Sequence, residues 1–206
     1  MNLEEFEIGR RLVHSSGIAF PITYFLTDEW LYVQLLLLLA LIVVSVLEYL
    51  RLKKGYTNIL FDRLTRSYES EKIAGYYLYI VGMFLVAVFL HPLIAVSSMI
   101  ILAIGDPVGG ILSDAEPSGT KSIKAVLSLL TVSTVIAFSV TSITFPTSES
   151  AIIALTGGCV GALSDYKKLI INDYIVDDNL VIPVATGFVM QFVYHLVPFI
   201  SSINLF

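Results

Sequence analysis

Residues 30–54 read WLYVQLLLLLALIVVSVLEYLRLKK, and this stretch decides the fold class. Between positions 30 and 50 only Gln34, Ser45 and Glu48 interrupt a run of aliphatic and aromatic side chains, and the cations Arg51, Lys53 and Lys54 follow at once. A helix needs about 20 apolar residues to cross a bilayer, so this segment reads as a span with a basic end. The rest of the chain has the same character. Of 206 residues, 56% are hydrophobic and 14% charged, with a mean hydropathy of +0.85, whereas soluble domains carry about a quarter charged residues. These values indicate an integral membrane protein. A net charge of −5 gives no basic face for nucleic acid. The single Cys159 excludes an intrachain disulfide and a C-x-x-C metal site. The start, MNLEEFEIGRRLVH, is acidic before it is basic and lacks a small-residue cleavage site, so no cleaved signal peptide is expected.

Outward from this span, the segments 74–90, 92–112, 125–145, 150–164 and 180–204 are also read as crossing. The run from Leu12 to Leu26 is shorter and contains Pro21. If it crosses too, all twelve Lys and Arg share one side, in the N-terminus and the loops 51–73, 113–124 and 165–179. The positive-inside rule makes that side the cytoplasm. The expected architecture is therefore all-α: one integral membrane domain over residues 1–206 with about seven transmembrane helices, its N-terminus cytoplasmic and its C-terminus outside. The exterior connections are short (TDE at 27–29, His91-Pro92, PTSES at 146–150), which leaves aqueous chemistry to the cytoplasmic side. A weak echo links GDPVGGILSD with GGCVGALSD at 157–165, and is read as a shared use of small residues for close helix packing.

Polar residues gather at that cytoplasmic level. Asp106 lies fourteen residues past Pro92, about 21 Å at 1.5 Å per residue, with Gly105, Gly109 and Gly110 beside it. Intramembrane acids are costly, so a carboxylate next to bare backbone suits a metal-phosphate site, against the plainer reading of a helix that ends at Gly-Asp-Pro. SGTKSIK at 118–124 brings Gly119, Thr120, Lys121, Ser122 and Lys124 to a helix start, where amides, hydroxyls and an ammonium favour phosphate. It is not a Walker A sequence. IVDDNLVIP at 175–183 brings Asp177, Asp178 and Asn179 to the start of the last helix. A cap needs one of them, and two carboxylates with an amide also suit Mg²⁺. RRLVH places Arg10 and His14 on one helix face, with Arg11 adjacent. Arg66 and Glu69 stand one turn apart, and Glu48 is a further acid at the inner end of an apolar segment.

In this order the motifs resemble the dolichol kinase, phytol kinase and diacylglycerol kinase group of CTP-dependent membrane lipid kinases, itself distantly related to phosphatidate cytidylyltransferases. The matching pieces are RRLVHSSG, LEYLR, RSYESEKIAG, GDPVGG, GTKSIK and DDNLVIP, from residue 10 to about 190, and the short loops are most similar to the archaeal dolichol-kinase-like branch. Two departures stand out. Ser113 replaces a frequent glycine, and Ser122-Ile123-Lys124-Ala125-Val126 replaces the S-L-E-G-S that often follows the lysine.

The resemblance implies CTP as phosphoryl donor, Mg²⁺ as cofactor, and a polyprenol or dolichol as acceptor. It places Asp106 and Asp178 on the metal with Asp177 and Asn179 in support. Arg10, Arg11, Lys121 and Lys124 would take phosphate oxygens, and Thr120 and Ser122 would add hydroxyl contacts. The general base is open among His14, Asp106 and Asp177, and oligomeric state is not legible. One alternative is a cytidylyltransferase that joins CTP to a lipid phosphate, with Arg63, Arg66 and Lys72 as extra cations. A transporter or scaffold is the alternative from another class. Transporters place polar sites near the bilayer midplane, where this chain carries no charge.

Overall fold

The computed structural model of the protein describes residues 3–56, 65, 69–112, 120–166, 169–171 and 174–202. Among these residues the regular structure is helical apart from one small hairpin. In chain order the elements are α1 (Leu3–Ser16), α2 (Ala19–Thr27), α3 (Trp30–Lys54), α4 (Gly75–Phe89), α5 (Pro92–Ile100), a π-helical turn (Ile101–Gly105), α6 (Asp106–Leu112), α7 (Ile123–Thr141), α8 (Thr147–Tyr166), β1 (Leu169–Ile171), β2 (Tyr174–Val176) and α9 (Asp178–Ser202).

Four of these stretches are long and apolar enough to cross a bilayer by themselves: Trp30–Lys54, Pro92–Ile111, Ile123–Thr141 and Asp178–Val197. The other expected spans differ from the sequence reading. The stretch 74–90 forms α4, which is apolar but has 15 residues. The stretch 150–164 sits in α8, whose first turn carries Thr147, Ser148, Glu149 and Ser150 and dilutes its hydropathy. The first segment is no single helix, since the chain turns at Gly17 and Ile18 between α1 and α2. A Cβ on Gly17 would lie 1.9 Å from the Tyr79 hydroxyl, so the turn is pressed onto α4. Pro21 falls in the first turn of α2, where its missing N–H costs nothing.

The continuous stretch from Pro92 to Leu112 is the hub. Leu93 to Met99 are all buried, and α4, α7 and α9 pack around them. α3 packs on α4 and turns Leu35, Leu39, Ile42 and Val46 outward, as a helix facing lipid does. It ends at Gly55, whose φ of +62° sits in the left-handed region that favours glycine. α8 packs against α7 and α9 through small residues. A Cβ on Gly158 would lie 2.0 Å from Thr134 Oγ1, and one on Gly157 2.5 Å from Met190 Sδ. Close packing accounts for this glycine series, as the echo suggested.

Asp106 does not terminate a helix. The stretch widens into the π turn and resumes as α6. In π register the amide of residue 107 would bond the carbonyl of residue 102, but Pro107 has no amide hydrogen. His14 Nε2 takes that place, 2.9 Å from Leu102 O. At the same end of the bundle β1 and β2 pair antiparallel, Leu169 with Val176 and Ile171 with Tyr174. This unexpected hairpin returns the chain from the end of α8 to the start of α9.

Candidate functional site

Three helix ends meet beside the π turn. Asp106 opens α6, Asp165 closes α8 and Asp178 opens α9, and one oxygen from each lies within 4.8 Å of the others. Lys121, just before α7, reaches into them, with Nζ 2.5 Å from Asp165 Oδ1 and 3.5 Å from Asp106 Oδ1. Its backbone N–H bonds Tyr166 O at 3.0 Å, which pins the 120–122 turn to the end of α8. Burial lowers the Lys121 pKa, but Asp106 and Asp165 outweigh it and the net direction is up. Asp165, one residue beyond the apolar stretch 150–164, is buried with the Lys121 ammonium against it. One ammonium faces three carboxylates, a group that can shed its excess charge by taking up a proton or by holding a cation. An all-oxygen donor set suits a hard divalent ion such as Mg²⁺.

The neighbouring residues divide by task. Asp177 caps α9: its Oδ1 accepts from Asn179 N at 3.0 Å and its carbonyl from Leu180 N and Val181 N. Asp178 Oδ1 accepts from the same Asn179 N at 3.1 Å, and of the two acids it is Asp178 that has an oxygen in the cluster. Asn179 is held where α9 crosses α4, since a Cβ on Gly82 would lie 2.9 Å from Pro183 Cγ and 3.0 Å from Asn179 O. His14 sits 3.7 Å from Asp106 Oδ2. A carbonyl only accepts, so its bond to Leu102 O puts the proton on Nε2, and that nitrogen is no base. Tyr79 fixes the same segment by donating to His14 O at 2.8 Å, with its ring edge-on to the imidazole.

The three described glycines around Asp106 each have a side chain against them. Gly105 accommodates Leu129, with Cδ1 2.7 Å from the place of a Cβ. Gly109 faces Asp165, and Gly110 receives the Arg11 guanidinium, which donates to Gly110 O at 3.0 Å. Side chains of the chain itself thus lie against each of these three glycines. Ser122 caps α7, accepting from Ala125 N at 3.4 Å. Thr120 is half-buried beside Lys121, and Lys124 points outward. Gly119, Arg63 and Arg66 lie outside the described residues, as does the side chain of Arg10.

Glu48 belongs to a fastening. Its two oxygens accept from Arg51 Nε (2.9 Å) and Nη2 (2.7 Å), Ala74 N (2.8 Å) and Tyr76 Oη (2.5 Å). Arg51 also donates to the carbonyls of Glu69, Ser70 and Lys72. All five guanidinium donors and both carboxylate oxygens are used, with Arg51 9% and Glu48 5% exposed. The clasp carries residues 69–74 to the site, and Glu69 lands buried on a cavity.

That cavity holds about 360 Å³ and touches Asp106, Asp178, Asn179, Glu69 and His14, together with Tyr76, Tyr79 and an apolar wall. Asp165, Tyr76 and Tyr79 had no place in the sequence reading of the site. Asp165 had the same signal as Asp106, an acid at the inner end of an apolar helix, whereas the tyrosines lie in a run where nothing marks them out. Compared with protein-family models, curated proteins and solved structures, the chain matches none.

Proposed function

We propose that the protein is a CTP-dependent lipid kinase that phosphorylates a membrane alcohol of the polyprenol or dolichol type. The observation that supports this most is the meeting of Asp106, Asp165 and Asp178 at the edge of a cavity with acidic and apolar walls. Phosphoryl transfer asks for charge neutralisation and alignment more than for covalent chemistry. In this reading the three carboxylates hold Mg²⁺, which when bound offsets the charge on the triphosphate. Lys121 orients the carboxylates and takes phosphate oxygens as they displace it. The acceptor oxygen bonds to the γ-phosphorus, the bridging P–O bond to the β-phosphate breaks, CDP leaves, and a cavity carboxylate takes the alcohol proton. Glu69 and Asp106 both line that space.

The reading includes a seven-span topology, with α1–α2 crossing as a broken unit, α4 as a shorter span and α8 as a more polar one. The acid cluster then lies at the cytoplasmic face, with the basic loops.

Purified protein is incubated with Mg²⁺, labelled CTP and a panel of polyprenols, diradylglycerols and their phosphates. Label from the γ position is expected in a lipid monophosphate, and EDTA should abolish the transfer. Label from the α position in lipid would mark a cytidylyltransferase instead, and no transfer to any lipid would exclude both.

A further inference from the structure

The cavity's polar and apolar residues lie at different depths. α4 runs inward from the acid cluster, so Ile80, five residues after Gly75, lies about 7.5 Å deeper at 1.5 Å per residue. On α3, Val44 lies one turn deeper than Glu48, and Phe20 follows the turn that carries the chain from His14 into α2. The polar end holds Glu69, Asp106, Asp178 and Asn179, and the wall beyond it is hydrocarbon.

Among the described residues one side is incompletely closed. α1 packs chiefly on the π turn and α6, whereas it is α2 that packs on α3. Val13 lines the cavity yet is 47% exposed, beside Leu12 at 67%. Across from it, Val43, next to Val44 on α3, is 48% exposed. An opening rimmed by such side chains would be costly in water and is matched by acyl chains.

We propose that this opening, between α1 and α3, admits the acceptor from the bilayer, and that the cavity encloses only its hydroxyl and first carbons. The proposal rests on the lipid-kinase reading and sharpens its substrate class: long-chain primary alcohols irrespective of total length. A volume of about 360 Å³ is near the lower end for small-molecule sites, about 300–1,000 Å³. The remainder of a long tail stays in the bilayer, where its methylenes have the same surroundings before and after binding and add nothing to affinity.

Farnesol, geranylgeraniol and undecaprenol are compared at equal mole fraction in liposomes with γ-labelled CTP. Their kcat/KM values should agree within about threefold, and a preference of about tenfold or more for one length would overturn the proposal. Val44→Trp, which fills the deep wall, should lower acceptor kcat/KM by about tenfold or more while leaving the KM for CTP within about twofold. Unchanged acceptor kinetics would also overturn it. A separate arm needs no catalysis: geranylgeraniol carrying a diazirine on its first isoprene unit is photolysed with nucleotide-free protein. Labelling should fall on cavity residues of α1 to α4 and be suppressed by Val44→Trp, and labelling confined to the outer helix faces would refute the seat. Cavity labelling without phosphate transfer would leave the seat standing and remove the kinase reading.

Discussion

Asp106, Asp165 and Asp178 are spread over the chain, and each closes or opens a helix that has apolar residues on its other turns. If Asp106 only shaped the backbone, asparagine would serve equally, since it bends and caps chains much as aspartate does. If its charge holds a cation against a triphosphate, Asp106→Asn should leave a folded protein with turnover reduced by about a hundredfold or more. Asp165→Asn should do the same. Asp177→Asn should cost far less, because asparagine also caps. Steady-state rates for the three variants, with thermal melts to establish folding, decide it, and near-normal turnover in Asp106→Asn would return that residue to a structural role. Asp106 and Asp178 were legible because acids at the ends of apolar segments are costly. Which of Asp177 and Asp178 puts an oxygen in the cluster was not, since the two differ only in helical phase. Asp165 needed the hairpin that brings the start of α9 back to the end of α8, and three-residue strands leave little pattern to read.

At the scale of elements, the Arg51–Glu48 clasp joins α3 to residues 69–74 and sets where α4 begins. Removing one partner of a buried, fully bonded ion pair strands the other. Arg51→Ala should destabilise the protein by about 3–5 kcal/mol, seen as a lower melting temperature in detergent, with Glu69 released from the cavity. Arg51→Lys should rescue little, because an ammonium cannot reproduce the five-donor fork. A melting temperature within error of the parent would mean that the clasp is incidental. The sequence places Glu48 and Arg51 three residues apart on one helix, which is enough to expect a pair. It does not show that the remaining guanidinium donors are taken by three loop carbonyls. That turned a supposed site acid into a fastener. The break between α1 and α2 was hidden in the same way, because the turn at Gly17 is pressed against Tyr79, far along the chain.

For the molecule as a whole, hydropathy made the membrane character and the four long spans plain, since each lies in one uninterrupted stretch. Shorter helices depend on neighbours that composition does not name. Orientation is testable with single cysteines in a Cys159→Ser background. Ser142→Cys, at the exposed end of α7, should react with an impermeant maleimide on intact cells, and Ser70→Cys, in the clasped loop, should react after lysis alone. The reverse pattern would invert the topology. The π turn has a consequence for how this chain tolerates changes in its length. Such a turn is an α-helix holding one surplus residue, so the stretch from Pro92 to Leu112 is a residue longer than the helices around it require. Deleting Ala103 should let the helix close up with both flanks in place, giving a monodisperse protein on gel filtration that has lost the His14 anchorage and with it activity. Deleting Val96, in the regular part, would turn every later side chain by about 100° and should yield aggregate. The Ala103 position is thus a built-in slack in an otherwise close-packed bundle, taken up where the chain has to aim a carboxylate.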